Sequence, residues 1–254
     1  MQVICISNNK GGTGKTTSTL CIGHALARIG NRVLLIDCDP QSNLTKSFDV
    51  LTTHHLDVVI DGRGSLADIA RNVSPCLDLV PATPSIAGAE KVLGSRPEYP
   101  FFFRDALLKA NYDFVLFDTA PTLSPLTIAA LGASDAVFVP AQPDFFGYTG
   151  LVTLLDMVAR IRANFNPKLR VGGVFFNKHH PSYRRKLHHQ YVESMAEDAD
   201  LKDLLMQTYI RENVALSEAQ ANGQSIFEWA PQSNGAADYE ALTTEMIARL
   251  SVVS

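Results

Sequence analysis

Ser7-Asn8-Asn9-Lys10-Gly11-Gly12-Thr13-Gly14-Lys15-Thr16-Thr17 lies between an apolar run at residues 3–6 and a long helical pattern at residues 16–29. Three glycines within residues 11–14 let the backbone turn several N–H groups toward one anion. A helix that begins there adds the positive end of its dipole. Strand, glycine-rich turn and helix start, in that order, make a phosphate cradle. Lys15 is placed to reach the terminal phosphates, and the Thr16 hydroxyl to ligate Mg2+. A turn that merely packs tightly needs the glycines but not the lysine and hydroxyls that follow.

Working outward, short apolar runs alternate with helical patterns. Residues 3–6, 33–36, 77–80, 114–117, 136–139 and 171–176 read as buried strands. Their near-continuous hydrophobicity is what a parallel sheet covered on both faces requires. Helical stretches are expected at 16–29, 102–110, 124–131, 150–163 and 236–250. This predicts an α/β fold, a doubly wound, mostly parallel sheet with helices on both faces. The 254 residues, 46% of them hydrophobic, show no internal repeat, and 49–65 and 94–100 read as surface connections. A single domain over 1–254 is expected. A net charge of −4 excludes coating nucleic acid by bulk charge. No apolar run approaches the roughly 20 residues that span a bilayer. The opening MQVICISNNKGG carries no basic leader, so a soluble cytoplasmic protein is expected. Cys5, Cys21, Cys38 and Cys76 form no C-x-x-C pair and are expected to be buried, reduced thiols.

Two acidic strand ends accompany the loop. Asp37 and Asp39 stand two apart at the end of the second run, so their side chains share a face, at the sheet end where ligands bind. A pair of turn-forming aspartates before Pro40 is the plain alternative. Asp118 ends the apolar run 114–117, the place from which a carboxylate holds magnesium through water. Taken alone it is also a common helix cap. The order and spacing of all three motifs carry the inference together.

Asn9 occupies the first glycine position of G-x-x-x-x-G-K-[ST], leaving K-G-G-x-G-K-T-T, the deviant Walker A loop. On this loop the chain resembles the ParA/Soj-type ATPases of the ParA/MinD family of P-loop NTPases. The segments 213–219 and 235–239 resemble the ParA/Soj branch specifically. The resemblance implies an ATPase with ATP and Mg2+ as cofactors. Gly11, Gly12, Thr13, Gly14, Lys15, Thr16 and Thr17 would bind the phosphates. Lys10 would reach across a homodimer interface to the partner subunit's nucleotide. Asp39, in the switch-like D-x-D-P-Q, would position the attacking water, while Thr16, Asp37 and Asp118 would serve the metal. Asn177 is a candidate adenine contact, with the segment near Arg211 closing over the base. The implied function is a slow, dimerising switch that binds duplex DNA non-specifically in its ATP state and so associates with the nucleoid. A ParB-like or adaptor protein would stimulate hydrolysis, and the cargo would be a plasmid, a chromosome or another assembly.

The chain also departs from that pattern. Relatives often carry proline then arginine at Arg211 and Glu212, arginine at Ala215, and basic residues near Gln232 and Asn234. The stretch 178–189, with Lys178, Arg184, Arg185 and Lys186, reads as the one dense basic stretch. It is either a substitute DNA surface or a solvated helix face, and charge patterning leaves both open. Its histidine pairs lack a third ligand for a metal. A MinD-like membrane switch needs a basic amphipathic C-terminal helix, but residues 246–254 hold one basic residue, so no stable membrane anchor is expected. A nucleotide-locked scaffold without hydrolysis is opposed by the intact Lys15, Asp39 and Asp118. The cysteine placement does not support an electron-transfer reductase like the nitrogenase iron protein.

Overall fold

The computed structural model describes residues 1–48, 50 and 52–251. The strands are β1 (Gln2–Ile6), β2 (Val33–Cys38), β3 (Arg71–Ser74), β4 (Leu77–Val80), β5 (Phe114–Thr119), β6 (Ala136–Ala141) and β7 (Arg170–Phe176). The first helices are α1 (Lys15–Arg28), α2 (Asn43–Lys46), α3 (Leu56–Ile60), α4 (Leu66–Ile69), α5 (Ile86–Gly94) and α6 (Phe102–Ala106). The remainder are α7 (Pro125–Ala133), α8 (Phe145–Asn164), α9 (Lys186–Glu197), α10 (Val214–Ala221), α11 (Ile226–Trp229) and α12 (Asn234–Ser251).

The seven strands run in the order β3-β4-β2-β5-β1-β6-β7. Every pairing is parallel except β3 with β4. Alternate residues of β1 feed two separate cores. Val3 and Cys5 face the helices α3 and α5 to α8, whereas Ile4 and Ile6 face α1, α11 and α12. Both faces are therefore covered, as the unbroken apolar runs required. On the second face the buried Tyr239 of α12 and Ser18 of α1 share a hydrogen bond of 3.0 Å, which satisfies a phenol otherwise sealed from water.

All six expected strands are present, and β3 is an addition. Its sequence, Arg-Asn-Val-Ser, is short and polar because it lies at the sheet edge with no residue fully buried. The helix expected from 150 begins at Phe145, where the Asp144 carboxylate accepts the Gly147 N–H at 2.7 Å and caps it. The helix expected over 102–110 stops at Ala106. The connection 49–65 contains α3, whose Leu56 and Ile60 are fully buried, while Asp49 and Leu51 lie outside the described residues. Cys76 corrects the expectation of buried thiols. It sits in the β3–β4 turn with φ 60° and is exposed, whereas Cys5, Cys21 and Cys38 are buried. Among the described residues no helix is long and apolar enough to cross a membrane.

Candidate nucleotide site

The β1–α1 turn is built around Gly14, which caps α1 with φ 92°, a left-handed conformation that a side chain disfavours. The Asn177 amide crosses from the end of β7 to donate to the Thr13 carbonyl at 2.8 Å, and a Cβ on Gly14 would run into that amide. Asn177, expected at the adenine, is thus a buried clamp on the loop that also lines the cavity beside it. Lys15 is buried and its ammonium donates back across the loop to the Lys10 carbonyl at 3.1 Å. Burial lowers its pKa, and the charges of Asp118 and Asp39 oppose that shift.

Strand register brings the carboxylates together. Asp118 on β5 lies level with Ile6 of β1 on one side and Asp37 of β2 on the other. Asp37 is committed to its own switch segment: one oxygen accepts the Asp39 N–H at 3.1 Å, the other the Thr45 N–H at 2.9 Å and hydroxyl at 2.6 Å. Thr45 in turn accepts the Ala82 N–H at 2.9 Å, tying β2 to the end of β4. Burial pushes the Asp37 pKa up to about 6 against these hydrogen bonds. Asp39 is anchored by the Gln41 N–H at 2.8 Å and lines the cavity.

Asp118 is different. It is fully buried, and neither carboxylate oxygen meets a donor in full hydrogen-bond geometry, with the Thr16 hydroxyl standing near it. Burial, then the Asp37 charge, raises its pKa well above the usual carboxylate range, while the Thr16 hydroxyl and Lys15 oppose the rise. A buried, unsatisfied carboxylate beside a threonine hydroxyl is a site for a hard cation. Among the described residues no group of three or more His, Cys, Asp or Glu forms a metal cage. Magnesium takes one or two protein ligands and the remainder from phosphates and water, so one carboxylate and one hydroxyl suffice to hold it.

Lys10 turns away from its own phosphate loop. Its ammonium pairs with Asp144 at 2.7 Å and reaches Gln142 at 3.5 Å, while Gln142 donates to the Gly12 carbonyl at 3.1 Å. A second bridge joins the loop to the far wall. Thr17 donates to Gln220 of α10 at 3.3 Å, and Gln220 donates to Ser47 at 2.9 Å. Gln142, Asp144, Thr45 and Gln220 escaped sequence reading. Only Asp144 left a signal, as a capping residue before a helix whose start was read five residues late.

These elements enclose a cavity of about 1050 Å³, running from the glycines and Asp39 to Arg211, Asn213 and Gln220. Arg211 lines it while its guanidinium is held by Asp238 of α12. Lys178 also lines it, with φ 54° and its N–H on the Asn177 side chain at 2.9 Å, which sets it apart from Arg184, Arg185 and Lys186. Those three are exposed around the start of α9, where Arg185 stacks over Tyr183 and pairs with Glu212 at 2.8 Å. The basic stretch is thus split and partly neutralised. It is not unique either, since residues 159–170 carry as many Lys and Arg.

The AAA domain family matches residues 1–171. The chain is 36% identical to the chromosome partitioning protein ParA of Caulobacter vibrioides over 259 residues, covering 98% of this chain and 95% of that one. It is 37% identical to the chromosome-partitioning ATPase Soj of Thermus thermophilus over 247 residues, covering 97% and 96%. In structure it is similar to cobyrinic acid a,c-diamide synthase of Mycobacterium smegmatis with bound ATP analogue and magnesium, with TM-score 0.84, 25% identity and coverage of 98% and 96%.

Proposed function

The chain belongs to the AAA domain family and, within it, to the ParA/Soj-type P-loop ATPases, and from that premise we propose a slow, ATP-driven dimerising switch for partition or positioning of a cargo. The observation that carries the reading is the buried, unpartnered Asp118 set against Thr16 and Lys15 beneath a glycine turn. A fold of this kind serves several chemistries, and it is those residues rather than the sheet that point to this one.

The phosphates of ATP lie on the N–H groups of residues 11–17. Entry of the γ-phosphate draws the Lys15 ammonium off the Lys10 carbonyl, exchanging a neutral acceptor for a charged one. Thr16 and Asp118 would hold magnesium, which would offset the negative charge of the phosphates. Asp39, pinned at its backbone by Asp37 and at its carboxylate by Gln41, orients the attacking water. Asp37 would support the metal shell from behind, through the segment it fixes with Thr45. Arg211 and Lys178 flank the base end of the cavity. Lys10 completes the site in trans: it leaves Asp144 and neutralises charge on the partner subunit's transferring phosphoryl group. Hydrolysis with so few groups aligned in the monomer is slow, and a stimulating protein acts by completing the alignment.

In the ATP state Arg184, Arg185 and Lys186 would contact DNA phosphates without reading bases. The test uses the Asp39→Ala protein, which holds ATP without turning it over, titrated onto random-sequence duplex DNA across a NaCl series. Binding with MgATP but not MgADP, weakening as salt rises and falling further in Arg184→Ala/Arg185→Ala, is expected. No binding by a proven ATP dimer would remove DNA from the account. The Arg185–Glu212 pair favours that second reading, a nucleotide-locked positioning protein without DNA binding.

A further inference from the structure

A groove of about 760 Å³ lies between the C-terminal half of α8, the start of β7 and the loop at Leu204. It is independent of the nucleotide site. Strand β7 runs from Arg170 at the groove to Phe176, beside the Asn177 that touches the phosphate loop, so the groove is at the opposite end of the sheet. The walls are apolar, formed by Leu155, Val158, Ala159, Val171 and Leu204, and several of these remain part-exposed. Its volume is in the range that holds a ligand or a few anchoring side chains.

The charged residues that line it, Arg162 and Arg170, are both positive. Residues 159–170 hold Arg160, Arg162, Lys168 and Arg170 and no carboxylate, in a chain of net charge −4. Arg170 has a structural task, donating to the Arg249 and Leu250 carbonyls at 3.1 Å each, at the end of α12. Arg160, Arg162 and Lys168 are exposed and, among the described residues, enter no ion pair. Helix-dipole compensation accounts for Arg162 in the last turn of α8 but not for the others. Arg162 in the groove wall and Lys168 between the lining residues Pro167 and Leu169 are free cations beside an apolar trough, and they call for an occupant that brings carboxylates and apolar side chains together. Nucleic acid supplies the charge but nothing to fill the trough.

We propose that this groove docks an acidic amphipathic segment of a protein partner. Its apolar side chains, three or four residues apart along a helix, enter the trough, and its carboxylates meet Arg162 and Lys168. Complementary charge speeds the encounter and sets the orientation, while the trough supplies the anchor. A partner seated here leaves Lys10 and the nucleotide cavity open, so it can stay bound through the ATPase cycle as a link to cargo.

The test selects a displayed library of random twelve-residue peptides on the full-length protein, with counter-selection on Arg162→Glu/Lys168→Glu. Thermal unfolding and ATP binding of this variant first verify that it is folded. Enrichment of acidic peptides with apolar residues at helical spacing is expected. By fluorescence anisotropy the best of them should bind at least about tenfold more weakly to the charge variant, and likewise to Ala163→Trp, which fills the trough without altering charge. No enrichment, enrichment of basic peptides, or binding indifferent to both variants would overturn the proposal. So would duplex DNA binding that the charge variant abolishes and Ala163→Trp leaves intact.

Discussion

Lys10 and Asp144 form an ion pair whose partners are each less than a third exposed, and the same carboxylate caps α8. In the proposed cycle the pair must break before Lys10 can cross to the partner subunit. Asp144→Asn keeps an acceptor for the cap and removes the charge that holds the lysine. With a pair of this exposure worth about 1 kcal/mol, ATP-dependent dimerisation should tighten by about fivefold per subunit, read by sedimentation; unchanged dimerisation would show that the pair restrains nothing. Asp118→Asn addresses the metal. Magnesium with ATP should raise the melting temperature of the parent protein well above ATP alone, and this increment should vanish in the variant. An increment that survives would remove Asp118 from the metal shell. These roles were legible to different degrees. The glycines, Lys15 and Asp118 stand in a local pattern, so sequence places them. Gln142 and Gln220 act through contacts with residues 130 and 203 positions away, and Thr45 joins Asp37 to Ala82, 37 positions further on, and nothing local records such pairings.

At the scale of elements, the sheet was readable because its inner strands are buried on both sides and must be apolar throughout. Strand β3 was not, since an edge strand is bonded on one side and carries no core. Short helices such as α2 and α11, four residues each, have too few turns to show a period. The fit between α7 and the turn ahead of α6 gives a direct packing test. Gly132 lies inside α7, where glycine to alanine ordinarily stabilises a helix by about 1 kcal/mol. Here a Cβ would run into the Pro100 carbonyl oxygen, backbone that cannot rotate aside. Gly132→Ala should therefore destabilise the protein by about 1–3 kcal/mol in urea unfolding. A stabilised variant would mean that the two elements are not in this contact.

Across the whole molecule, buried titratable groups set the response to acid. His24 of α1 is buried beside Phe48, and burial, helped by the Arg28 charge, lowers its pKa to about 4. The unfolded chain takes up that proton near pH 6.5, so stability present above 6.5 is lost as the pH falls toward 4. The loss amounts to about 3 kcal/mol at most. Asp37 acts in the opposite sense, because its folded pKa of about 6 exceeds the unfolded value and stability is gained as pH falls between them. Comparison with His24→Gln isolates the first effect: relative to the variant, the parent should lose stability between pH 6.5 and 4, and parallel profiles would contradict the burial argument. The global claim concerns assembly. The Lys10 ammonium faces Asp144 in its own chain, and in the proposed cycle it completes the ATP site of a second subunit. The most direct measurement is sedimentation velocity of Asp39→Ala at micromolar concentration with MgATP and with MgADP. A species of twice 27.7 kDa with ATP and a monomer with ADP is predicted, with the ATP dimer lost in Lys10→Ala/Asp39→Ala. A monomer in both nucleotides, or a dimer indifferent to Lys10, would contradict the account.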